Sequence, residues 1–338
     1  MSRVGRQTFV YDNPVEIASH VSYVGPKEGK GPLAKWFDVV LEDDLMGQKS
    51  WELAESHMLT QCVEQAEAEA GLAKGSAQAF LSGDLNDQII ASSFAARAMQ
   101  LPFLGLYGAC STFVQALVVG GALISGGFLE TALCAASSHF CTAERQFRFP
   151  LELGNQRPPA AHWTTTAAGC AAIRAGKSKG GLGLECGTIG KVVDLNITDA
   201  NNMGAAMAPA VCDCIARHLE DTGRAPEDYD IIATGDLGWV GRNILMELFH
   251  RRGLKMPDEV LVDCGASMFY KEQDTHAGGS GCGCIASVSC GMIMKRLEAG
   301  EWNRALMVGS GAMLSPTSSM QAQSIPGIAY AVAVGRNE

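Results

Sequence analysis

The sequence predicts an α/β protein in which two similar units follow one another along the chain. Residues 80–85 match residues 232–237, and Cys62 matches Cys214 at the same offset. An internal repeat of this length indicates two related folding units that pack together. A feature present in both halves therefore serves the fold, whereas a feature present in one half is a candidate for function.

The two halves also share one order of elements, in which strands alternate with helices. Gly71 and Gly223 follow the first helix of each half, where helix C-caps usually lie. The predicted elements are, in the first half and then the second, helices 53–70 and 207–220, strands 79–82 and 231–234, helices 89–99 and 242–250, strands 103–107 and 260–262, apolar helices 112–124 and 286–297, and strands 132–136 and 305–308. This alternation is typical of parallel sheets covered by helices on both faces. The repeats differ by one insertion between Asp236 and Gly281.

The composition indicates a compact protein that does not bind nucleic acid. The chain has 338 residues, of which 47% are hydrophobic and 18% are charged, so it can bury a large core in two units of ordinary size. We expect these units at residues 1–178 and 179–338. The formal net charge of -10 opposes binding to nucleic acid, because phosphate binding needs a basic face.

The sequence also predicts the compartment. The first six residues lack the apolar core of a signal peptide, and the longest nearly apolar run, 113–124, is too short to span a bilayer. Twelve cysteines in such a chain indicate a reducing environment and buried thiols rather than disulfides. We therefore expect a soluble cytoplasmic protein that reaches a membrane only through partners.

Cys110 is the candidate reactive or ligand-facing residue. It lies where a predicted buried strand passes into a buried helix, and a helix N-terminus lowers the pKa of a thiol toward the thiolate. The alternative is a structural cysteine, since free cysteine behaves as a small hydrophobe. The repeat favours the functional interpretation, because the matching position in the second half is Gly283.

A second candidate group follows the last predicted strand of the first half. Ser137, Ser138 and His139 lie at that strand end, and ligands of α/β proteins bind beyond the carboxyl ends of strands. Arg145 and Arg148 follow in an aromatic-rich stretch, and guanidinium groups bind carboxylates bidentately. The alternatives are a core histidine and loop arginines that pair with nearby glutamates.

Two further loop regions contain side chains that could take part in catalysis. Asp84 and Asp236 hold the same position in the two halves, which favours a cap on the following helix over catalysis. The Gly-rich loop 277–282 is preceded by His276, the one imidazole there.

Metal binding is not expected. Cys212, Cys214 and His218 have a helical spacing, but zinc usually takes four such ligands. The sequence predicts neither a metal nor a cofactor.

These residues carry a resemblance to the thiolase fold, which includes the ketoacyl-synthase condensing enzymes. The resemblance implies two repeated βαβαβαββ units in five α-β-α-β-α layers, with the cysteine at the turn that Cys110 occupies. Those enzymes add a histidine from a loop of the second half. That loop corresponds here to residues 235–238, which contain no histidine, so the catalytic set is incomplete.

A narrower resemblance covers residues 5 to 335. Segments 5–8, 25–28, 31–33, 104–112, 136–139, 142–148, 203–210, 277–282 and 314–317 are similar to those of the stage V sporulation protein AD family of spore-forming bacteria. The resemblance implies a protein that binds dipicolinic acid, free or as its calcium chelate, and is needed for its uptake into the developing spore. It also implies membrane partners in one channel complex, a location at the inner forespore membrane, and a homodimer.

The resulting expectation is a ligand held between Cys110 and the turn Ser137, Ser138 and His139, with Arg145 or Arg148 on a carboxylate. His276 is a further candidate for ligand contact. Two alternatives remain open at this point. One is an acyltransferase that uses Cys110 with His276 or His139. The other is a structural scaffold of a membrane complex that binds no small molecule.

Overall fold

The computed structural model describes residues 2–147 and 157–337 of the chain. The strands are β1 (Ser2–Arg3), β2 (Thr8–Val24), β3 (Val39–Val40), β4 (Phe80–Gly83), β5 (Phe103–Gly105), β6 (Thr131–Ser138), β7 (Trp163–Thr164), β8 (Ala167–Ala175), β9 (Leu182–Ile189), β10 (Ile231–Thr234), β11 (Leu261–Asp263), β12 (Gly279–Ser280), β13 (Arg304–Ala312) and β14 (Gly327–Arg336). The helices are α1 (Trp51–Glu69), α2 (Ile90–Met99), α3 (Thr112–Ser125), α4 (Phe140–Phe147), α5 (Met203–Thr222), α6 (Gly238–Arg251), α7 (Cys264–Met268), α8 (Cys282–Val288), α9 (Met294–Glu298) and α10 (Pro316–Met320).

Local signals fix the helix boundaries. The side chain of Ser50 accepts a hydrogen bond from Leu53 N at the start of α1, and Asn202 caps α5 in the same way. Gly223 ends α5 in the left-handed conformation, with φ of 67°, which glycine adopts without a Cβ penalty. The predicted helices 53–70 and 207–220 therefore correspond to α1 and α5, with small shifts at their ends.

The sheet topology repeats. One sheet has the strand order β11-β10-β13-β14-β9-β2-β8-β6-β4-β5. Counted along the chain, the five strands of the first half are β2, β4, β5, β6 and β8, and those of the second half are β9, β10, β11, β13 and β14. In both halves the order of these strands across the sheet is third, second, fourth, fifth, first. The two first strands, β2 and β9, pair antiparallel and join the halves. The boundary between residues 178 and 179 stays a prediction, and it falls in the turn between β8 and β9.

The helices complete five layers. α1 covers β2, β6 and β8 of the first half together with α2, and α5 covers β13 and β14 of the second half together with α6. α3 and α8 lie between the halves: α3 packs on β6 and on β14, and α8 packs on β6 and β8. α3 is apolar because it is covered from both sides. No helix within residues 2–147 and 157–337 is long and apolar enough to cross a membrane.

Several predicted elements need correction. The sheet is mixed rather than parallel, because β8 pairs antiparallel with β6, and β14 with β13. β5 was expected to be buried, but it is an edge strand and Leu104 is 44% exposed. The predicted helix 286–297 begins earlier, at Cys282, and a π-helical turn at Ser289–Ile293 joins α8 to α9.

The one insertion that distinguishes the halves lies between β11 and α8. In the first half β5 leads almost directly into α3, whereas in the second half α7 and β12 intervene. β12 pairs with β7 in a separate two-stranded ribbon, in which Ser280 lies opposite Thr164. The insertion thereby brings residues of the second half next to the start of α3.

The central layer depends on backbone contact between α8 and β8. A Cβ atom on Gly169 would collide with the main chain of Ala286, and one on Gly283 would collide with the carbonyl oxygen of Ala167. Only glycine permits this approach, which draws the two halves together.

We therefore predict that Gly169→Ala lowers the free energy of unfolding by about 1–3 kcal/mol or more, because the added methyl group meets main-chain atoms that cannot rotate away. Urea unfolding of both proteins measures the difference. A loss below about 0.5 kcal/mol, the usual range for a surface substitution, would contradict this account of the central layer.

Candidate functional site

A cavity of about 230 Å³ lies at the start of α3, between the two halves. The first half contributes residues from the β4–α2 loop, the β5–α3 junction, α4 and β7, and the second half contributes residues at the start of α5, at the end of β13, in the adjoining loops and in β12. The lining residues are Leu85, Tyr107, Ala109, Cys110, Ala143, Glu144, Phe147, Thr164, Ala200, Asn201, Met203, Ser280, Ala312 and Leu314. The cavity is therefore an interface site, as is common for small-molecule pockets.

Cys110 lines this cavity, as predicted. Ala109 before it has φ of 49°, a left-handed conformation that a residue with a side chain seldom adopts. The hydroxyl of Ser111 donates to Gly108 O at 2.5 Å, and that of Thr112 donates to Ala109 O at 2.7 Å. These bonds hold the tight turn that points the thiol at Ser280, whose Oγ lies 3.9 Å from Cys110 Sγ.

The thiol of Cys110 is not activated, contrary to the expectation from its position. Burial raises its pKa well above the ordinary value, and the negative charge of Asp236 and the thiol of Cys282 raise it further. Burial and the neighbouring carboxylate oppose the thiolate that a helix N-terminus favours, and the residue as a whole is only 5% exposed. Cys110 is therefore a neutral thiol at pH 7.

Asp236 directly precedes Leu237, the N-cap of α6, but its side chain binds residues beside the cavity rather than the helix. One carboxylate oxygen accepts from Ser310 Oγ at 2.8 Å, and the other accepts from Ser280 Oγ at 2.8 Å and Gly281 N at 2.9 Å. The first amide groups of α6 are bound by Asp263 instead. The prediction that Asp236 caps the following helix is wrong, because Asp263 at the end of β11 takes that role.

The matching residue of the first half does act as predicted. Asp84 accepts from Ser92 N in the first turn of α2 at 2.8 Å and from Asn86 N at 3.0 Å. The same repeat position thus caps a helix in one half and supports the cavity in the other.

Ser137 and Ser138 lie behind the cavity. Ser137 Oγ donates to Glu55 at 3.0 Å, and Ser138 Oγ donates to Thr165 O at 2.8 Å. Both are buried, and neither lines the cavity around Cys110. Their contact with a ligand stays a prediction that this geometry does not favour, since their hydroxyl groups already have protein partners.

His139 and Arg145 are also directed elsewhere. His139 is buried, its Nε2 donates to Asp44 O at 2.8 Å, and burial lowers its pKa. Arg145 forms an ion pair with Glu52 and does not line the cavity. Arg148 lies outside the described residues.

His276 does not approach Cys110 either. Its Nδ1 donates to Pro158 O at 2.8 Å, and its Nε2 lies 3.2 Å from Asp274. It is not among the lining residues, which include no histidine in the part of the chain that the structure describes. The described cavity therefore pairs Cys110 with Ser280 and Asp236, and with no imidazole.

Glu55 in α1 is a residue that the sequence analysis missed. Its carboxylate is fully buried and accepts hydrogen bonds from Asn86 at 3.0 Å, Ser137 at 3.0 Å and Thr142 at 2.8 Å. Burial and the charge of Asp84 raise its pKa. The repeat could have revealed it, because the matching residue of the second half is Met207.

Glu55 positions the wall of the cavity. Its three partners lie in the β4–α2 loop, at the end of β6 and in α4, and the first and last of these elements line the cavity. One carboxylate therefore holds three segments in register.

The internal repeat gives no signal for the other residues that line the cavity. Phe147 lies in the aromatic stretch already noted. Tyr107 and Leu314, to which no site role is assigned from the sequence, lie in segments 104–112 and 314–317. Asn201 lies in no such segment. Asn201 and Leu314 reach the cavity because loops of the second half fold over the start of α3.

The architecture is that of the thiolase class. AbyA1, described as a tetronic acid condensing enzyme, matches with a TM-score of 0.61 and 20% identity over 95% of this chain and 99% of its own. Human mitochondrial 3-ketoacyl-CoA thiolase, solved in complex with CoA, matches with a TM-score of 0.60 and 12% identity over 98% of this chain and 100% of its own. At these identities the likeness concerns the fold alone.

The sequence comparisons are narrower. The family model for stage V sporulation protein AD (SpoVAD) matches residues 5–335. Stage V sporulation protein AD of Bacillus subtilis is 41% identical over 336 residues, which cover 99% of this chain and 98% of that protein. The chain belongs to the stage V sporulation protein AD family.

We predict that Glu55→Ala lowers the free energy of unfolding by on the order of 3 kcal/mol or more, because three buried donors lose their acceptor. Glu55→Gln should cost less, since its carbonyl oxygen still accepts. Urea unfolding measures both. Glu69→Ala, at the exposed end of the same helix, is the matched control and should change stability by about 0.5 kcal/mol or less. Equal losses at residues 55 and 69 would refute the positioning role.

Proposed function

We propose that this chain binds dipicolinic acid, free or as its calcium chelate, in the cavity around Cys110 and supports uptake of that acid into the developing spore. The family resemblance supplies the ligand. The observation that carries a binding role is the pairing of a neutral Cys110 thiol with Ser280 and Asp236, where a condensing enzyme needs a base.

The lining of the cavity suits a flat polar ring. Tyr107 and Phe147 offer aromatic faces, and Thr164, Asn201 and Ser280 offer neutral donors and acceptors. Burial raises the pKa of Tyr107, so its hydroxyl remains a donor at pH 7. A pyridine dicarboxylate has one ring and several acceptor atoms, which match this combination.

The alternative is an acyltransferase that uses Cys110 with His276 or His139. It requires a thiolate and a base within hydrogen-bond reach of the reacting atoms. The pKa of Cys110 is raised, and both histidines form hydrogen bonds to backbone carbonyl groups rather than to Cys110. Both observations argue against the acyltransferase.

We also propose that the protein acts at the inner membrane of the forespore through membrane proteins of one channel complex. A homodimer is part of this proposal. The exposed edge strand β5, with Leu104 44% exposed, supports it, because an unpaired strand edge can pair with a second copy.

Calorimetric titration with dipicolinate tests the binding site. Phe147→Ala should weaken binding by roughly tenfold, because an aromatic contact and its buried area are lost. Phe128→Ala removes an aromatic residue that is 78% exposed and remote from the cavity, so it should bind like the parent. Binding that is unchanged in Phe147→Ala but weakened in Arg145→Ala and His139→Ala would move the ligand to the turn after β6.

The same preparation can be tested for catalysis. The protein is incubated with an acyl-CoA, and its intact mass is recorded with and without Cys110→Ser. We expect no acyl adduct. A Cys110-dependent adduct that forms and then turns over would establish the acyltransferase. If the protein binds no dipicolinate, the structural scaffold is the alternative that remains.

For the homodimer, light scattering at micromolar concentration should give the mass of two chains. Leu104→Lys places a charge on the exposed edge and should shift the protein toward one chain, because like charges meet across a twofold strand pair. A monomeric parent would refute the dimer.

A further inference from the structure

Two cations converge on one aromatic ring next to the cavity. Lys27 Nζ lies 3.8 Å from the centre of the Trp163 ring, and the guanidinium carbon of Arg157 lies 4.5 Å from it. Phe140 stacks on Trp163 with the ring centres 3.8 Å apart and an interplanar angle of 9°. Because Phe140 covers one face of Trp163, both cations share the other face.

This cluster adjoins the cavity through two elements. Trp163 precedes Thr164 in β7, and Thr164 lines the cavity. Phe140 begins α4, and the lining residues Ala143 and Phe147 follow it at helical spacings of three and seven, so the three lie on one stripe of the helix. The aromatic support of the two cations is therefore adjacent in sequence to one lining residue and shares a helix stripe with two others.

The insertion of the second half anchors both cations. The side chain of Gln273 donates to Lys27 O at 2.8 Å, and Arg157 Nη2 donates to Asp274 O at 3.0 Å. Residues 273 and 274 belong to the segment between β11 and α8 that has no counterpart in the first half. By the repeat argument, a feature confined to one half is a candidate for function.

The local charges favour an anion here. Holding two cations together is unfavourable, and burial and the charge of Arg157 lower the pKa of Lys27, although the nearby Asp274 carboxylate offsets part of this effect. Glu28 next to Lys27 is buried, which raises its pKa to about 8, so at pH 7 it is largely protonated. Among the described residues that line the cavity, Glu144 is acidic and none is Lys or Arg. A dicarboxylate dianion must therefore find its cations beside the cavity.

We propose that Lys27 and Arg157 form a carboxylate-binding subsite, with Trp163 and Phe140 as its rigid support. The inference rests on the proposed function, because the carboxylate is taken to be one of the two on the aromatic acid. An ammonium and a guanidinium group together supply charge-assisted hydrogen bonds to the two oxygens of one carboxylate.

The test compares a charged ligand with a neutral one of the same shape. Pyridine-2,6-dicarboxylate and pyridine-2,6-dicarboxamide are titrated by calorimetry into the parent and into the double variant Lys27→Gln with Arg157→Gln. We expect the dicarboxylate to bind roughly tenfold to a hundredfold more weakly to the double variant. The affinity for the dicarboxamide should stay the same, and the salt dependence of dicarboxylate binding should decrease.

The chain offers a matched control. Lys35 Nζ lies 5.1 Å from the Trp36 ring, and Arg97 lies 4.3 Å from the Phe94 ring. The double variant Lys35→Gln with Arg97→Gln removes the same charge from two aromatic supports elsewhere, so it should bind the dicarboxylate like the parent.

Each other outcome overturns a distinct claim. If the parent binds the dicarboxylate and the Lys27 and Arg157 double variant binds it equally well, the subsite is wrong and the proposed function stands. If that variant loses both ligands equally, the cations do not recognise charge and the subsite is again wrong. If the parent does not bind the dicarboxylate, the proposed function itself is wrong.

Discussion

The packing of the two central helices, α3 and α8, against the strands on either side determines how the two halves of the molecule fit together. α8 approaches β8 so closely that no Cβ atom fits at Gly169 or Gly283, and a Cβ on Gly309 of β13 would lie 2.9 Å from Ser111 Cα at the start of α3. These contacts leave little freedom in how the halves meet. The cavity is the space that remains at the start of α3, so its shape is set by backbone packing rather than by flexible side chains.

Duplication alone would give two equivalent turns, and the structure shows how one of them acquired a different role. Asp84 and Asp236 occupy equivalent positions, yet Asp84 caps α2 and Asp236 binds Ser280 and Ser310. The difference follows from the insertion after β11, which brings Ser280 within reach, and from Asp263, which binds the amide groups at the start of α6. The changed connectivity thus leaves the Asp236 carboxylate to support the cavity instead of capping a helix.

The sequence predicts the repeated core well because repeated patterns report local structure. The predicted strand 231–234 coincides with β10, and the predicted helix 112–124 differs from α3 by one residue. β2 was missed because it pairs with β9 at residues 8–10 and 15–17 and with β8 at residues 15–24, with a register shift between, and no local pattern encodes this pairing. Of the residues predicted for the site, Cys110 lines the cavity, whereas ligand contact by the others stays a prediction. Burial and a carboxylate distant in sequence raise the pKa of Cys110, a direction that its place at a helix N-terminus does not indicate. Asn201 and Leu314 reach the cavity through the tertiary fold.

The burial of the cysteines limits how readily oxidants attack the thiols of this protein. All twelve are free thiols, and eleven of them are buried while Cys141 in α4 is partly exposed. Oxidants and electrophiles attack the thiolate form, and burial raises the pKa of these sulfurs, so neither access nor ionisation favours damage. The thiols are therefore poorly reactive toward oxidants as a group, and the one most open to them, Cys141, lies on the helix that lines the cavity.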